Sequence, residues 1–99
     1  MAAYAVVSYD VTGPEKFGPY VPAVQPVLRK YNAEILAARP ALQVLEGSAS
    51  MINVVLKFPS QQAALNWYND PEYAPLLKLR LDTTSAHHMI LLGEFQPPA

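Results

Sequence analysis

The 99-residue sequence contains no cysteine, few charged residues and no long hydrophobic run. The lack of cysteine excludes disulfides, thiolate zinc sites and a cysteine nucleophile, and it fits a cytoplasmic protein. Seven basic and eight acidic residues are spread without clusters, so the sequence predicts no nucleic-acid partner, which would require a basic surface. The hydrophobic runs are much shorter than the roughly 20 residues that span a bilayer. We therefore expect no membrane partner.

The sequence also has no glycine-rich phosphate loop, no cluster of metal ligands and no serine nucleophile elbow. It therefore predicts no cofactor and no bound metal. What it does have is a hydrophobic content of 52% and ten prolines that do not form a linker. This composition favours one domain over residues 1–95, followed by a short tail over 96–99.

Apolar segments bounded by turn residues predict four strands: Ala3–Val11, Glu34–Ala38, Ser50–Phe58 and Ala86–Phe95. Helical spacing of apolar residues predicts a helix between the first two strands, and Asn32 is suited to end it in a left-handed conformation. Prolines interrupt its first half, so regular helix is expected mainly from Ala23 to Tyr31. Ser60 should cap a helix over Gln61–Asn69. Pro75 should open a further helix that ends near Thr83.

The predicted order is β-α-β-β-α-β with a short extra helix before the last strand, which is the α+β order of the ferredoxin-like fold. Such a fold has a four-stranded antiparallel sheet with helices on one face. We expect Trp67 to lie in the core between helix and sheet. The other face would carry Val6, Met51 and Val55 beside polar residues. Because an exposed sheet face that is half apolar is more stable when it is buried, the sequence predicts a homodimer in which two copies pair through this face.

Several segments resemble the domain of unknown function 1330 family: Tyr4–Pro14, Val44–Gly47, Phe58–Ser60, Trp67-Tyr68 followed by Pro71–Tyr73, and Leu79-Arg80. The resemblance covers nearly the whole chain. It implies the dimeric α/β-barrel superfamily, in which two ferredoxin-like sheets close face to face, and it implies no particular function. The sequence departs from the family at Ala38-Arg39-Pro40, where relatives often have an Arg-Gly-Gly run.

Two histidines are the most reactive side chains that the sequence offers, His87 and His88. Neighbours on a strand point to opposite faces, so they cannot bind one metal together. The phase of the strand favours His88 as the inward residue, and the alternative is that both are ordinary strand-end histidines. Asp10 could act with His88 as a catalytic base, or it could cap the turn after its strand.

Four further residues could bind a substrate: Ser8, Asn53, Tyr20 and Arg80. Ser8 and Asn53 share the polar side of two neighbouring strands with Asp10. Tyr20 could line the mouth of the barrel. Arg80 could hold a carboxylate, or it could form a structural ion pair with Glu72 or Asp82.

Three functions are compatible with these patterns. The first is a cofactor-free enzyme that acts by acid–base chemistry on a small, partly apolar or aromatic metabolite in the barrel cavity. Here the resemblance contributes, because the wider superfamily includes monooxygenases, isomerases, lyases and polyketide cyclases. The second is a small-molecule binding or sensing module without turnover, and the third is a purely structural homodimer.

Overall fold

The computed structural model describes residues 1–98, apart from the side chain of Arg39. Its strands are β1 (Ala3–Val11), β2 (Glu34–Arg39), β3 (Ile52–Phe58) and β4 (Thr84–Gly93). Its helices are α1 (Pro14–Phe17), α2 (Tyr20–Lys30), α3 (Gln61–Tyr68) and α4 (Ala74–Asp82). The strands form one antiparallel sheet in the order β2-β3-β1-β4. The predicted α+β ferredoxin-like fold is confirmed.

The alternating pattern of β1 decides which side of the sheet the helices cover. Ala3, Ala5, Val7 and Tyr9 are all buried, whereas the residues between them are only partly buried. On the neighbouring strand Leu56 and Phe58 pair with Ala5 and Ala3 and are buried as well. One side of the sheet therefore forms the core with the helices, and the other side is not covered by any described element.

Helix α2 begins three residues earlier than the sequence predicted, at Tyr20 instead of Ala23. The reason is the position of its prolines. Pro19 is the N-cap residue, and Pro22 lies in the first turn, where backbone N–H groups have no partner within the helix. Only Pro26 removes a hydrogen bond from the interior of the helix. Gly18 and Pro19 separate α2 from the short α1, so the expected break in the helix lies there.

The ends of α2 and α3 follow the predicted capping. Asn32 has a φ of 56°, and the N–H groups of Asn32 and Ala33 donate to the carbonyls of Arg29 and Leu28. This is the Schellman arrangement, which a left-handed residue after the helix permits. Ser60 caps α3, because its hydroxyl accepts the N–H of Ala63 at 3.0 Å.

Asp70 ties the C-terminal end of α2 to the turn between α3 and α4. Its carboxylate accepts Lys30 Nζ at 2.8 Å and the hydroxyl of Tyr31, and its second oxygen accepts the N–H of Glu72 at 2.7 Å. Hydrogen bonds from Lys30, Tyr31 and the Glu72 backbone lower the pKa of this carboxyl to about 2. The Asp70 carboxylate therefore fixes the C-terminal end of α2 through Lys30 and Tyr31.

Two bulges interrupt the sheet, and both lie on edge strands. Leu36 of β2 is an extra residue between the pairs Ile35–Leu56 and Ala37–Val55. On β4, Ala86 and His87 stand opposite the single residue Tyr9, and Ala86 has a φ of 52°. Because a bulge shifts the alternation by one, it decides which histidine lies on which face.

Candidate active site

A cavity of about 440 Å³ lies between α2 and the helix-covered side of the sheet. Its wall draws on every strand and every helix, and it consists mostly of apolar and aromatic side chains: Val7, Tyr9, Phe17, Tyr20, Val21, Val24, Gln25, Leu28, Ile35, Ala38, Ile52, Val54, Leu56, Trp67, Arg80 and Met89. Cavities of this volume accommodate small organic molecules.

The cavity opens between α2 and the edge strand β2. Val21 on α2 is 49% exposed, and Ile35 on β2 is 45% exposed, although both line the cavity. The residues at the opposite end, Tyr9, Trp67 and Arg80, are almost fully buried. The cavity therefore has a mouth with mostly apolar rims, where Gln25 lies beside Val21, and a closed end with buried polar side chains.

Arg80 is the unusual residue at the closed end. It is 2% exposed, and its Nε and Nη1 atoms have no hydrogen-bond partner among the described residues. Its guanidinium carbon lies 5.5 Å from the centroid of the Tyr9 ring, a cation–π distance. Among the described residues that line the cavity, Arg80 alone carries a charge.

The predicted structural ion pair of Arg80 is wrong. Asp82 Oδ2 lies 2.6 Å from Lys78 Nζ on the exposed side of α4, and Glu72 Oε1 lies 3.9 Å from Lys30 Nζ. Neither carboxylate contacts the guanidinium, because Arg80 projects toward the sheet while these acids lie at the surface. The other function that the sequence suggested, binding of a carboxylate, stays open for Arg80.

Two tyrosines form a buried hydroxyl pair beside the cavity. The hydroxyl oxygens of Tyr20 and Tyr73 are 2.8 Å apart, and Tyr73 has no exposed surface. Burial, together with the neighbouring Tyr73, raises the pKa of Tyr20 far above its ordinary value. Burial also raises the pKa of Tyr9, and Arg80 opposes that shift. Both phenols that line the cavity therefore stay neutral at physiological pH and can donate hydrogen bonds.

Trp67 is the third polar group at the closed end. It is 2% exposed, as the sequence predicted for a core residue, and its ring lies 4.3 Å from that of Tyr73 and 5.5 Å from that of Phe58. Its Nε1 is buried and has no acceptor among the described residues. A buried indole N–H ordinarily has a partner, so Trp67 adds a second unpartnered donor beside the cavity.

The structure brings two of the six predicted site residues together, Tyr20 and Arg80. Tyr20 lies in the core on the helix side, so the expected place at the mouth of a barrel between two copies is wrong. The cavity lies on the side of the sheet opposite to the exposed face.

The other four predicted residues share the exposed sheet face. Ser8 pairs with Asn53 on one side and with His88 on the other, so His88 and not His87 lies on this face, as the phase of the strand favoured. Asp10 pairs with Ser85 farther along. Its carboxylate accepts the N–H of Met51 at 2.8 Å.

Asp10 therefore does not cap the turn after its strand, which was the alternative to a catalytic function. The carbonyl of Thr83 holds that turn by accepting the N–H groups of Thr12 and Gly13 at 2.9 and 3.1 Å. The catalytic function of Asp10 and His88 stays a prediction.

Sequence reasoning missed Tyr9 and Tyr73 as site residues, and it assigned Trp67 to the core alone. One signal was available for Tyr9. It is a phenol in phase with Ala5 and Val7 on the buried side of β1, and a buried hydroxyl needs a partner or a cavity. No comparable signal marks Tyr73, because its contact with Tyr20 joins residues 53 positions apart.

Among residues 1–98, no helix is long and apolar enough to cross a membrane. The same residues contain no group of three or more His, Cys, Asp and Glu side chains that could hold a metal ion. No functionally curated protein matches the chain.

Solved structures show the same fold at low sequence identity. A protein of unknown function from Rhodopseudomonas palustris is 16% identical with a TM-score of 0.82, over 97% of this chain and 84% of that one. SnoaB, a cofactor-independent oxygenase from Streptomyces nogalater, is 11% identical with a TM-score of 0.69, over 97% and 95%. A dimeric ferredoxin-like protein of unknown function from Thermobifida fusca YX is 12% identical with a TM-score of 0.67, over 95% and 92%.

The match to a sequence family is more specific than these structural similarities. Residues 2–94 match the family described as domain of unknown function DUF1330. This range includes every strand and helix of the fold and every residue that lines the cavity. The chain belongs to the DUF1330 family.

Proposed function

We propose that the cavity binds a small, largely apolar or aromatic molecule, and that the protein is a cofactor-independent enzyme that acts on it by proton transfer. One observation carries this proposal. A cavity of about 440 Å³ with an apolar wall ends at the buried Tyr20–Tyr73 hydroxyl pair. Apolar pockets with a few convergent polar groups are the usual sites for small molecules.

The tyrosine pair can supply a hydrogen bond at a fixed place. Because burial keeps Tyr20 protonated, its hydroxyl can donate to a carbonyl oxygen of the bound molecule and stabilise the enolate that forms when solvent water takes up the C–H proton. Tyr73, 2.8 Å away, can donate to the Tyr20 oxygen and hold that hydroxyl in place. Loss of one donor to a developing oxyanion typically lowers the rate roughly 10²–10³-fold.

The fold is compatible with such chemistry. SnoaB, which has the same fold, is described as a cofactor-independent oxygenase. A shared fold is an analogy and does not transfer a reaction, so the proposal rests on the cavity and its tyrosines. The earlier hypothesis, with His88 and Asp10 as catalytic residues and Ser8 and Asn53 as binding residues, requires instead a second pocket between two copies.

A minimal substrate can test the proposal. 2-Tetralone is a small aromatic ketone, and exchange of its acidic C–H protons in D₂O can be followed by proton NMR. We expect the protein to accelerate this exchange and Tyr20→Phe to lower the acceleration by about a hundredfold. Val54→Phe places a larger side chain in the cavity and should abolish the acceleration. Val44→Phe, on an exposed residue outside the cavity, is the matched control.

The outcomes separate the candidate functions. Loss of exchange in His88→Ala but not in Tyr20→Phe would place the chemistry on the exposed sheet face and contradict the proposal. Saturable binding that depends on Val54 without any exchange would favour the binding or sensing module over the enzyme.

We also propose that two copies form a homodimer through the exposed sheet face and close an α/β barrel. This face carries an apolar band in which Val6 and Val55 pair across the central strands. Ile90 and Leu92 continue it on β4 and are 55% and 50% exposed. The similar protein from Thermobifida fusca is described as dimeric.

A charge in the middle of this band should prevent association. We expect sedimentation velocity at micromolar concentration to give a dimer for the wild type and a monomer for Val55→Glu, because a buried unpaired carboxylate is costly. Leu42→Glu places the same charge on an exposed loop residue and should leave the dimer intact. A monomeric wild type would overturn this part of the proposal.

A further inference from the structure

The closed end of the cavity has a positive charge without a counter-charge. Arg80 is 2% exposed and lies in a wall that contains no acidic residue among those described. The acidic residues at the two ends of the α4 region pair with lysines instead: Asp82 binds Lys78, and Asp70 binds Lys30. Buried charges in proteins are ordinarily paired, because removing them from water costs several kcal/mol.

The groups around Arg80 reduce this cost without cancelling the charge. The face of the Tyr9 ring lies 5.5 Å from the guanidinium carbon, and its π-electrons attract the cation. The phenols of Tyr9 and Tyr20 could neutralise Arg80 only by losing their protons. Burial raises the pKa of both hydroxyls and so opposes that loss.

Unpartnered donors mark the same place. The side chains of Arg80 and Trp67 both line the cavity. Arg80 Nε and Nη1 and Trp67 Nε1 are buried and have no acceptor among the described residues. All three are donors only. These three donors therefore lack an acceptor and Arg80 lacks a negative charge, and one oxygen anion could supply both.

We infer that the molecule bound beneath α2 is an aromatic monocarboxylate, with its carboxylate at Arg80 and Trp67 and its apolar body toward the mouth between α2 and β2. A single cation in the wall calls for a single negative charge. A planar guanidinium matches the geometry of a carboxylate with two parallel hydrogen bonds, and the wall has no second cation among the described residues for the higher charge of a phosphate. The inference rests on the proposed function of the cavity and adds the chemical class of its ligand.

A pair of compounds with the same shape and different charge tests this. 2-Naphthoate and 2-naphthamide differ in charge and little in size, and their dissociation constants can be measured by titration calorimetry. We expect wild-type protein to bind the naphthoate at least tenfold more tightly, which is the range for hydrogen bonds to charged groups. Arg80→Met should bring the ratio close to one while the amide still binds, and Arg80→Lys should retain part of the preference.

A matched control excludes a general effect of charge. Lys78 lies on the same helix, and its side chain is 78% exposed. Lys78→Met removes one positive charge outside the cavity and should leave the ratio unchanged. Circular dichroism of each variant checks that it is folded, and if Arg80→Met is not, Arg80→Lys carries the comparison.

Failure of this inference can be told apart from failure of the proposed function. If the wild type binds both compounds equally and Val54→Phe abolishes this binding, the inference of a carboxylate ligand is wrong. The cavity would still be a site for small molecules. Binding of neither compound, together with no effect of the protein on 2-tetralone, would overturn both.

Discussion

Phe58→Ala is expected to lower the free energy of unfolding by about 3–5 kcal/mol, the usual range for removing a buried aromatic side chain. Phe58 has no exposed surface, and its ring centroid lies 5.5 Å from that of Trp67. It is the last residue of β3 and joins the sheet to α3. The alanine variant would leave an empty space that these neighbours can fill only in part. Since domains of this size are stable by about 5–15 kcal/mol, the variant should be close to unfolding.

Guanidinium unfolding followed by tryptophan fluorescence would measure this loss. Phe95→Ala is the matched control, because Phe95 is 79% exposed beyond the end of β4, and surface changes usually stay within about 0.5 kcal/mol. A loss below about 1 kcal/mol at Phe58 would mean that the contact between β3 and α3 is not part of the stable core. Equal losses for both variants would contradict the described burial.

Arg80→Met is expected to stabilise the protein, in contrast to Phe58→Ala. It should raise the free energy of unfolding of the ligand-free protein by about 1–4 kcal/mol. Replacing buried ionic groups by apolar side chains of similar volume is often stabilising by that amount. Arg80 gives up hydration in the folded state and gains no ionic partner among the described residues. The lost attraction to the Tyr9 ring, about 0.5–2 kcal/mol, opposes the gain.

The same unfolding experiment tests this prediction, with Lys78→Met as the comparison on the exposed side of α4. Lys78→Met should change stability little, because exposed ion pairs contribute at most about 1 kcal/mol. Strong destabilisation by Arg80→Met would show that the guanidinium stabilises the fold. A stabilised variant would show that the arginine is kept at a cost to stability, as functional groups often are.

The sheet and the helix order could be predicted from the sequence because each depends on local patterns. Alternation along β1 and β3 defines two faces whatever the rest of the chain does. Ser60 and Asn32 end their helices through contacts within a few residues. The start of α2 was placed too late, because the cost of a proline depends on its position in the helix. Pro19 and Pro22 cost little stability, because the N–H groups at these first positions make no hydrogen bond within the helix.

The candidate site could be predicted only in part, because it depends on long-range packing. The sequence indicates Tyr20 and Arg80 as possible binding residues. The cavity that they share exists only because α2 packs over the sheet with a gap between them. The Tyr20–Tyr73 contact joins two helical regions far apart in the chain. The expected ion pair of Arg80 failed for a similar reason. Charges close in sequence suggested a partner, whereas the packing of α4 turned the guanidinium inward and the acids outward.

The bulges on β2 and β4 affect how copies of this chain can assemble. These are the two edge strands of the sheet, and an uninterrupted edge presents a row of free N–H and C=O groups to which further strands can add without limit. Leu36 breaks that row on one edge, and the pair Ala86-His87 breaks it on the other. Growth into an open-ended ribbon or fibril through the edges is therefore disfavoured, while the apolar sheet face is left free for an association that closes on itself.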